Sequence, residues 1–267
     1  MMSRARCLWW VQSNLNGAID LLRAVVEADR PFAATPRIPF SDNIPRFEWQ
    51  GPVVYYGAIG LVELLAPRRE EIGMAPLVWY DPETFRVSEC IKRWGKQHCV
   101  NGDAEIISLE QFMTQTQERS PNDEVFVRPD GDTKAFNGAV STLEDLQHMV
   151  NCTTLPPQLP IAVAAPKTLL AEYRTFMIRD RVLAMTMYRA NGHRVVREVY
   201  DPEVEAFAKS LAEIWIPADV YCLDIATCAG GQLQLLELTC FNSAGFYGVR
   251  LPAIVHNVSH FVEDLET

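Results

Sequence analysis

Two carboxylates, Asp224 and Glu237, lie in the middle of short apolar segments, residues 220–226 and 233–239. Glycines separate the segments, so the pattern predicts a β-hairpin whose turn is centred on residues 230–231 and sets Asp224 directly opposite Glu237. Facing acids in an apolar hairpin repel each other and lose hydration. A hard divalent cation between them removes both costs, and Mg²⁺ shared with a nucleotide phosphate is the usual occupant of so sparse a site.

The same pair has other interpretations. One carboxylate lies at the rim of the hairpin, or an arginine neutralises it, since buried acids are not always metal ligands. The metal and arginine interpretations differ in one testable way. If the two charges only repel each other, the neutral variant Asp224→Asn is as stable as the wild type without metal, or more stable.

A second candidate stretch spans residues 124–138 and contains Arg128 and Lys134. Its first residues predict a strand that ends at Arg128. Pro129 and Gly131 predict a turn, so Lys134 lies on the following loop. Two cations a loop apart, beside glycines that free backbone N–H groups, suit an extended polyphosphate. The alternative is a solvated turn with two surface charges.

A hairpin is predicted by alternating residues from about 170 to 188, with its turn at 179–181. Glu172 and Arg174 are two residues apart and share one face of this strand. They either pair with each other or contact a ligand. Before the hairpin, the apolar residues 161–165 predict a strand-like linker that can offer backbone groups to an adenine edge. A final helix is expected over about residues 251–265.

The first 80 residues predict a small α/β lobe of strand–helix–strand units. Strands are expected at 7–11 and 53–56. A helix is expected from 17 to about 30, with an inward face formed by Ile19, Leu22, Val25 and Val26. Neither G-x-G-x-x-G nor G-x-x-x-x-G-K-[ST] occurs, which removes the two commonest nucleotide-binding fingerprints.

Composition narrows the class of protein. The 267 residues are 48% hydrophobic and 22% charged, which is typical of a globular chain. The net charge of −10 argues against nucleic acid as a partner. No apolar run reaches membrane-spanning length, so no membrane partner is expected. Seven cysteines without metal-ligand spacing predict reduced thiols and a cytoplasmic location.

Several of these motifs occur in the order found in the ATP-grasp superfamily, which the chain resembles: Arg128 with Lys134, Glu172 with Arg174, Tyr188, Asp224 with Glu237, and the segment 242–247. The closest similarity is to the clade of small ATP-grasp proteins in which an arginine replaces the first phosphate-binding lysine. The resemblance implies an α+β protein whose residues 81–267 form an ATP-grasp domain, two α+β lobes that clasp ATP. Residues 1–80 look like a small α/β pre-ATP-grasp domain.

The resemblance also implies a role for each motif. ATP is expected to contact Arg128, Lys134, Ala164, Lys167 and Glu172, with the adenine near residues 161–167. Mg²⁺ is expected at Asp224, Glu237 and Asn242. Arg128 and Arg174 are expected to be catalytic, with Arg174 facing the γ-phosphate or the acyl phosphate. Substrate contacts are expected from Tyr188, Arg197, Asn242 and Tyr247.

The implied function is an ATP- and Mg²⁺-dependent ligase that activates a carboxylate as an acyl phosphate and joins it to an amine of an amino acid or peptide-like substrate. One departure concerns the metal. The family usually has asparagine two residues after the metal-binding glutamate, and this chain has Thr239, which makes a second Mg²⁺ less secure. The alternatives are a small-molecule kinase and a non-catalytic nucleotide-binding regulatory module. These motifs specify neither the substrate nor the oligomeric state.

Overall fold

A computed structural model describes residues 6–37, 49–65, 76–131 and 135–265. Within these ranges the chain forms three β-sheets with helices packed against them. Helices and strands both contribute large parts of the chain, which confirms the predicted α+β class. No helix in the described part is long and apolar enough to cross a membrane.

The N-terminal sheet is parallel, with strand order β2-β1-β3-β4. Its strands β1 and β3 are buried at every position and read as continuous apolar runs, as expected for a parallel sheet covered on both faces. The elements are β1 (Leu8–Gln12), α1 (Ala18–Glu27), β2 (Phe32–Thr35), β3 (Val53–Tyr56), α2 (Ile59–Leu65) and β4 (Pro76–Leu77). The predicted division of the chain after residue 80 stays a prediction.

The inward face of α1 differs from the predicted one. Ala18, Leu21, Ala24 and Val25 are buried, whereas Ile19 and Val26 are 63% and 57% exposed. The sequence prediction of Ile19 and Val26 as core residues is therefore wrong. Small alanines on the inner side let the helix lie close to its neighbours, and the larger branched residues are left outside.

The second sheet is antiparallel, with strand order β5-β8-β6-β7. Its two helices begin at polar caps: Ser108 and Gln111 form a capping box, and the Thr142 side chain accepts from the backbone N–H of Asp145. The elements are α3 (Val87–Trp94), which precedes the sheet, then β5 (Glu105–Ser108), α4 (Leu109–Gln115), β6 (Glu124–Pro129), β7 (Ala139–Thr142), α5 (Leu143–Cys152) and β8 (Pro160–Ala164).

The third sheet has five antiparallel strands in the order β11-β10-β9-β12-β13. Asn191 and Gly192 have φ values of 49° and 77°, the left-handed pair that an Asn-Gly hairpin requires. The elements are β9 (Leu169–Ile178), β10 (Arg181–Ala190), β11 (His193–Glu198), α6 (Pro202–Ile214), β12 (Val220–Cys228), β13 (Leu233–Cys240) and α7 (Leu251–Leu265).

Helix α7 joins the first and third sheets into one core. Residues of β1, β3, α1, β9, β12 and α7 belong to a single buried cluster. Within it the Trp9 indole Nε1–H donates to Ser259 Oγ at 2.9 Å, and Arg30 pairs with Glu263 at 2.5 Å. The opposite face of the third sheet packs on α3 and α6. These two cores hold the third sheet firmly in place.

Candidate active site

A cavity of about 880 Å³ lies between the second and third sheets. This volume falls in the range of small-molecule sites. Its lining combines side chains from β6, β9, β10, β12 and β13 with the segment after β13, and contains Arg128, Glu172, Arg174, Tyr188, Asp224, Glu237 and Tyr247. Most of the residues predicted from the sequence therefore lie in one place.

Strand register brings the central charges together. Asp224 on β12 lies opposite Glu237 on β13, as predicted, and opposite Arg174 on β9. Residues directly opposite in antiparallel strands share a face. The ladder between β12 and β13 shifts by one residue between Asp224 and Ile225, so Leu236 is an extra residue in a β-bulge. Bulges of this kind re-aim side chains next to active sites.

Arg174 and Asp224 form a buried pair. The guanidinium Nε–H and Nη2–H donate to Oδ1 and Oδ2 of Asp224, both at 2.7 Å. Tyr188 O–H donates to Oδ2 at 3.3 Å. Burial raises the pKa of Asp224 and opposes the charge of Arg174, while for Arg174 the burial penalty is outweighed and its pKa is raised well above the usual value by Asp224. Two short bonds to one guanidinium are the geometry of an ionised carboxylate.

A second arginine holds the second acid. Arg128, at the end of β6, donates from Nη2 to Oε1 of Glu237 at 2.8 Å. The two side chains are 14% and 30% exposed, so this pair is more open to solvent than Arg174–Asp224. The repulsion predicted for Asp224 and Glu237 is therefore balanced by an arginine on each acid, which is the alternative that the sequence left open.

An aromatic pair covers the central arginine. The Arg174 guanidinium carbon lies 4.8 Å from the centroid of the Tyr247 ring, in cation–π geometry, and Arg174 Nη1 donates to the Gly245 carbonyl oxygen at 3.1 Å. The Tyr188 and Tyr247 rings stack at 5.0 Å. Arg174 is thus fixed on three sides before any ligand is bound.

A family model for an ATP-grasp domain, described as family 2 of its clade, matches residues 106–256, more than half of the chain. The chain belongs to this ATP-grasp family. The match confirms the resemblance that the motifs predicted. No curated protein sequence matches the chain.

Solved ATP-grasp structures share the fold at low sequence identity. D-alanine–D-alanine ligase from Bacillus anthracis is 9% identical, with a TM-score of 0.60 over 98% of this chain and 100% of that one. A RimK domain ATP-grasp protein from Sphaerobacter thermophilus is 12% identical, with a TM-score of 0.59 over 95% and 99%. The ATP-grasp ligase PsnB, complexed with a precursor peptide and AMPPNP, is 12% identical, with a TM-score of 0.57 over 97% and 98%. These similarities confirm the predicted ATP-grasp fold.

The donor set in the ATP-grasp cavity fits one Mg²⁺ that is shared with a nucleotide. A carboxylate has about four lone-pair positions, and Arg174 and Tyr188 use three on Asp224. One position remains, and the more exposed Glu237 adds oxygen atoms directly opposite. Within the described residues no group of three or more His, Cys, Asp or Glu side chains gathers around a point. Phosphate oxygens and water therefore have to complete the coordination.

Asn242 lies outside the cavity, and the prediction of a metal or substrate contact from it is corrected. Its Nδ2 donates to the Tyr55 and Leu77 carbonyl oxygens at 2.6 and 3.0 Å, and its Oδ1 accepts from the Trp79 N–H at 2.8 Å. The side chain is fully buried. Asn242 therefore ties the end of β13 to the N-terminal sheet.

Arg197 lies on the other face of the third sheet, which contradicts its prediction as a substrate contact. It is opposite Met187, and Met187 is opposite Tyr173, whose side chain alternates with those of Glu172 and Arg174. Its charge lowers the pKa of Tyr173 on that face, against the dominant effect of burial.

The predicted adenine contacts lie close to the cavity. Lys167 lines it and forms an ion pair with Asp103, and Ala164 is buried opposite Phe126, which also lines it. Lys134 lies outside the described residues.

Sequence reasoning missed one cavity residue, Arg189, and its pairing. Tyr188 is the extra residue of a bulge in β10, so Tyr188 and Arg189 both reach the cavity. Arg189 Nη1 donates to Glu172 Oε1 at 3.3 Å. Glu172 therefore pairs with Arg189 and not with Arg174. Strict alternation cannot reveal a bulge, and no signal in this sequence marks the one at Tyr188.

Proposed function

We propose that the protein is an ATP- and Mg²⁺-dependent, ADP-forming ligase that activates a carboxylate as an acyl phosphate and joins it to an amine. The observation that carries the proposal is the convergence of Arg128, Arg174, Asp224 and Glu237 in one cavity of an ATP-grasp fold. Phosphoryl transfer needs little covalent help from the protein, because catalysis consists mainly of positioning and charge stabilisation. These four side chains supply both.

Each residue of the cavity has a proposed role. Arg128 and Lys134 hold the phosphates, and the main chain near Ala164 with Lys167 borders the adenine. Asp224 and Glu237 hold Mg²⁺, which neutralises charge on the transferring phosphoryl group when it is bound. Arg174 stabilises the charge that develops on the γ-phosphate. Glu172 positions Arg189, and Tyr188 and Tyr247 form the wall against which the substrate lies.

The proposed reaction has two steps. An oxygen of the substrate carboxylate attacks the γ-phosphorus, the bond to the β-phosphate oxygen breaks, and ADP leaves. An amine nitrogen then attacks the acyl carbon, the carbon–oxygen bond to phosphate breaks, and the amine loses a proton. The products are an amide, ADP and inorganic phosphate.

Peptide substrates have support from a neighbour, because PsnB was solved with its precursor peptide. The likeness shows the fold only, so a peptide or small-molecule amine remains a proposal for this chain. A cytoplasmic location is proposed on the same terms. All seven cysteines are free thiols, which suits a reducing compartment.

The test is an ADP-release screen of the purified protein with Mg²⁺-ATP, pooled carboxylic acids and amines, with mass spectrometry of the products. ADP, phosphate and a condensed product are expected, and AMP as the direct product contradicts the proposal. Arg174→Ala is expected to lower kcat by about 10²–10³-fold. The control is Arg179→Ala, which removes an exposed arginine just beyond the same strand.

A non-catalytic nucleotide-binding module is the second candidate. Thr239, in the place of the usual asparagine, favours it, and so does the pairing of both acids with arginines. It predicts binding of Mg²⁺-ATP without ADP release from any pool. A small-molecule kinase predicts ADP release with a stable phosphorylated product and no condensation.

A further inference from the structure

Two arginines, Arg189 on β10 and Arg194 on β11, lie directly opposite each other near the Asn191–Gly192 turn. We call this pair the arginine rim. Arg189 and Gly192 line the cavity, so the rim stands at its mouth. The proposed phosphoryl transfer makes no use of the positive charge of Arg194.

The face on which Arg194 lies follows from the register. Arg189 is opposite both Arg194 and the cavity residue Glu172, so all three are on one face. Side chains at positions 196 and 198 of β11 are on the same face by alternation. Contacts with the segment after β13 agree with this assignment. Glu198 Oε1 accepts from the Arg250 N–H at 3.0 Å, and a Cβ placed on Gly248 lies 2.7 Å from Val196 Cγ1.

The rim carries an excess of positive charge. Like charges directly opposite on two strands destabilise a sheet. Glu172 compensates Arg189 at 3.3 Å. Among the residues that the structure describes, the Arg194 side chain has no hydrogen bond and no ion pair, and it is exposed. In a chain of net charge −10 this local excess is specific to the cavity mouth.

The rim lies too far away to hold the nucleotide phosphates. Arg128 and Glu237 sit at the β13 edge of the sheet, and Arg194 sits on β11, four strands away. Four strand spacings amount to about 19 Å. Arg174 lies on the middle strand β9 between these two edges. The phosphates are expected on the β13 side of Arg174, which leaves the β11 side for the other substrate.

We propose that the substrate carries a second carboxylate, which binds the arginine rim while the carboxylate to be phosphorylated lies beside Arg174. This inference rests on the proposed function. Backbone spacing puts the two anchoring regions about 8–12 Å apart, from two residues along the strand and one or two strands across. A long free dicarboxylic acid and an extended peptide with acidic residues at alternate positions share this chemistry.

The experiment measures binding of matched probes to protein loaded with Mg²⁺ and AMPPNP, by isothermal titration calorimetry. One arm compares adipate with hexanoate. The other compares a capped Ala-Glu-Ala-Glu-Ala peptide with its analogue in which the second glutamate is glutamine. At least one diacid is expected to bind about tenfold or more tightly than its monoacid partner, the scale of a hydrogen bond between charged groups. The arm that shows the preference identifies the source.

Arg194→Ala is expected to abolish the preference. The matched control is Arg197→Ala, which removes another exposed arginine from the other face of the same strand and is expected to keep the preference. Arg189→Ala is unsuitable, since it also strips the buried Glu172 of its partner. Equal binding of diacid and monoacid by the wild type, no binding of either diacid, or a preference that survives Arg194→Ala overturns the proposal.

Two readouts separate this inference from the proposed function. The thermal shift with Mg²⁺-AMPPNP tests the nucleotide site, and its absence refutes the ligase proposal. The same probe titrations without nucleotide test the rim by itself. Unchanged AMPPNP affinity in Arg194→Ala is expected, because the rim lies on the opposite side of Arg174 from the phosphates.

Discussion

The variant Asp224→Asn tests whether the buried arginine pair is a structural necessity. Arg174 and Asp224 have side chains only 7% and 3% exposed, and two bonds of 2.7 Å join them. Neutralising the acid leaves a charged guanidinium in a site that water does not reach. Removal of one partner of a buried ion pair typically costs about 3–5 kcal/mol of unfolding free energy.

The expected loss for Asp224→Asn is near the lower end, about 3 kcal/mol, because the asparagine amide oxygen still accepts one hydrogen bond. The assay is urea unfolding at neutral pH in the presence of a chelator, followed by tryptophan fluorescence. A double variant, Arg174→Met with Asp224→Leu, is expected to recover most of the loss, since a buried ion pair is often replaceable by apolar residues.

The protein provides a matched control. Arg179 and Asp219 form the same type of pair at the edge of the same two strands, at 2.8 Å, but their side chains are 51% and 39% exposed. Asp219→Asn is expected to cost about 0–1 kcal/mol. If Asp224→Asn is as stable as Asp219→Asn and the wild type, the buried pair has no structural role and the reasoning fails. The facing acids alone predict this last outcome, and the arginines reverse that expectation.

Three further predictions follow from other contacts. Arg128→Lys keeps the charge but loses the planar fork, so Mg²⁺-nucleotide affinity is expected to fall, and an affinity within about twofold of the wild type contradicts a bidentate role. Asn242→Ala is expected to lose about 2–3 kcal/mol of stability in the absence of nucleotide, because it leaves buried backbone groups unpaired; a stable variant with impaired Mg²⁺ response restores the metal assignment. Cys152 is the exposed cysteine, and burial raises the pKa of Cys7 to about 12, so a thiol reagent at pH 8 is expected to modify one cysteine per folded chain by mass spectrometry.

The position of the acidic pair was predictable, although for a partly wrong reason. A turn centred on residues 230–231 predicts that Asp224 faces Glu237. Close to the turn, however, Ile225 pairs with Leu235 and Thr227 with Leu233, which is a register one residue different. The bulge at Leu236 restores the predicted pairing. Local turn chemistry thus gives a register to within one residue, and the bulge decides the rest.

The residues that prediction misplaced depend on long-range contacts. Asn242 binds backbone groups of residues almost 190 positions earlier, and no local pattern encodes such a contact. Arg197 is on the outer face because the register of β11 against β10 is set by pairing across a bulged hairpin. By contrast, α7 was predicted correctly over residues 251–265, because its buried stripe is a local periodic signal.

The contact between Trp9 and Ser259 has a consequence for the synthesis of the chain. The two residues are 250 positions apart, and both are fully buried. A ribosome that adds about 5–20 residues per second leaves the first strand waiting about 10–50 s for the helix that covers it. The N-terminal sheet therefore completes its core only after translation of α7. Until then its apolar inner face is available to chaperones and to other nascent chains.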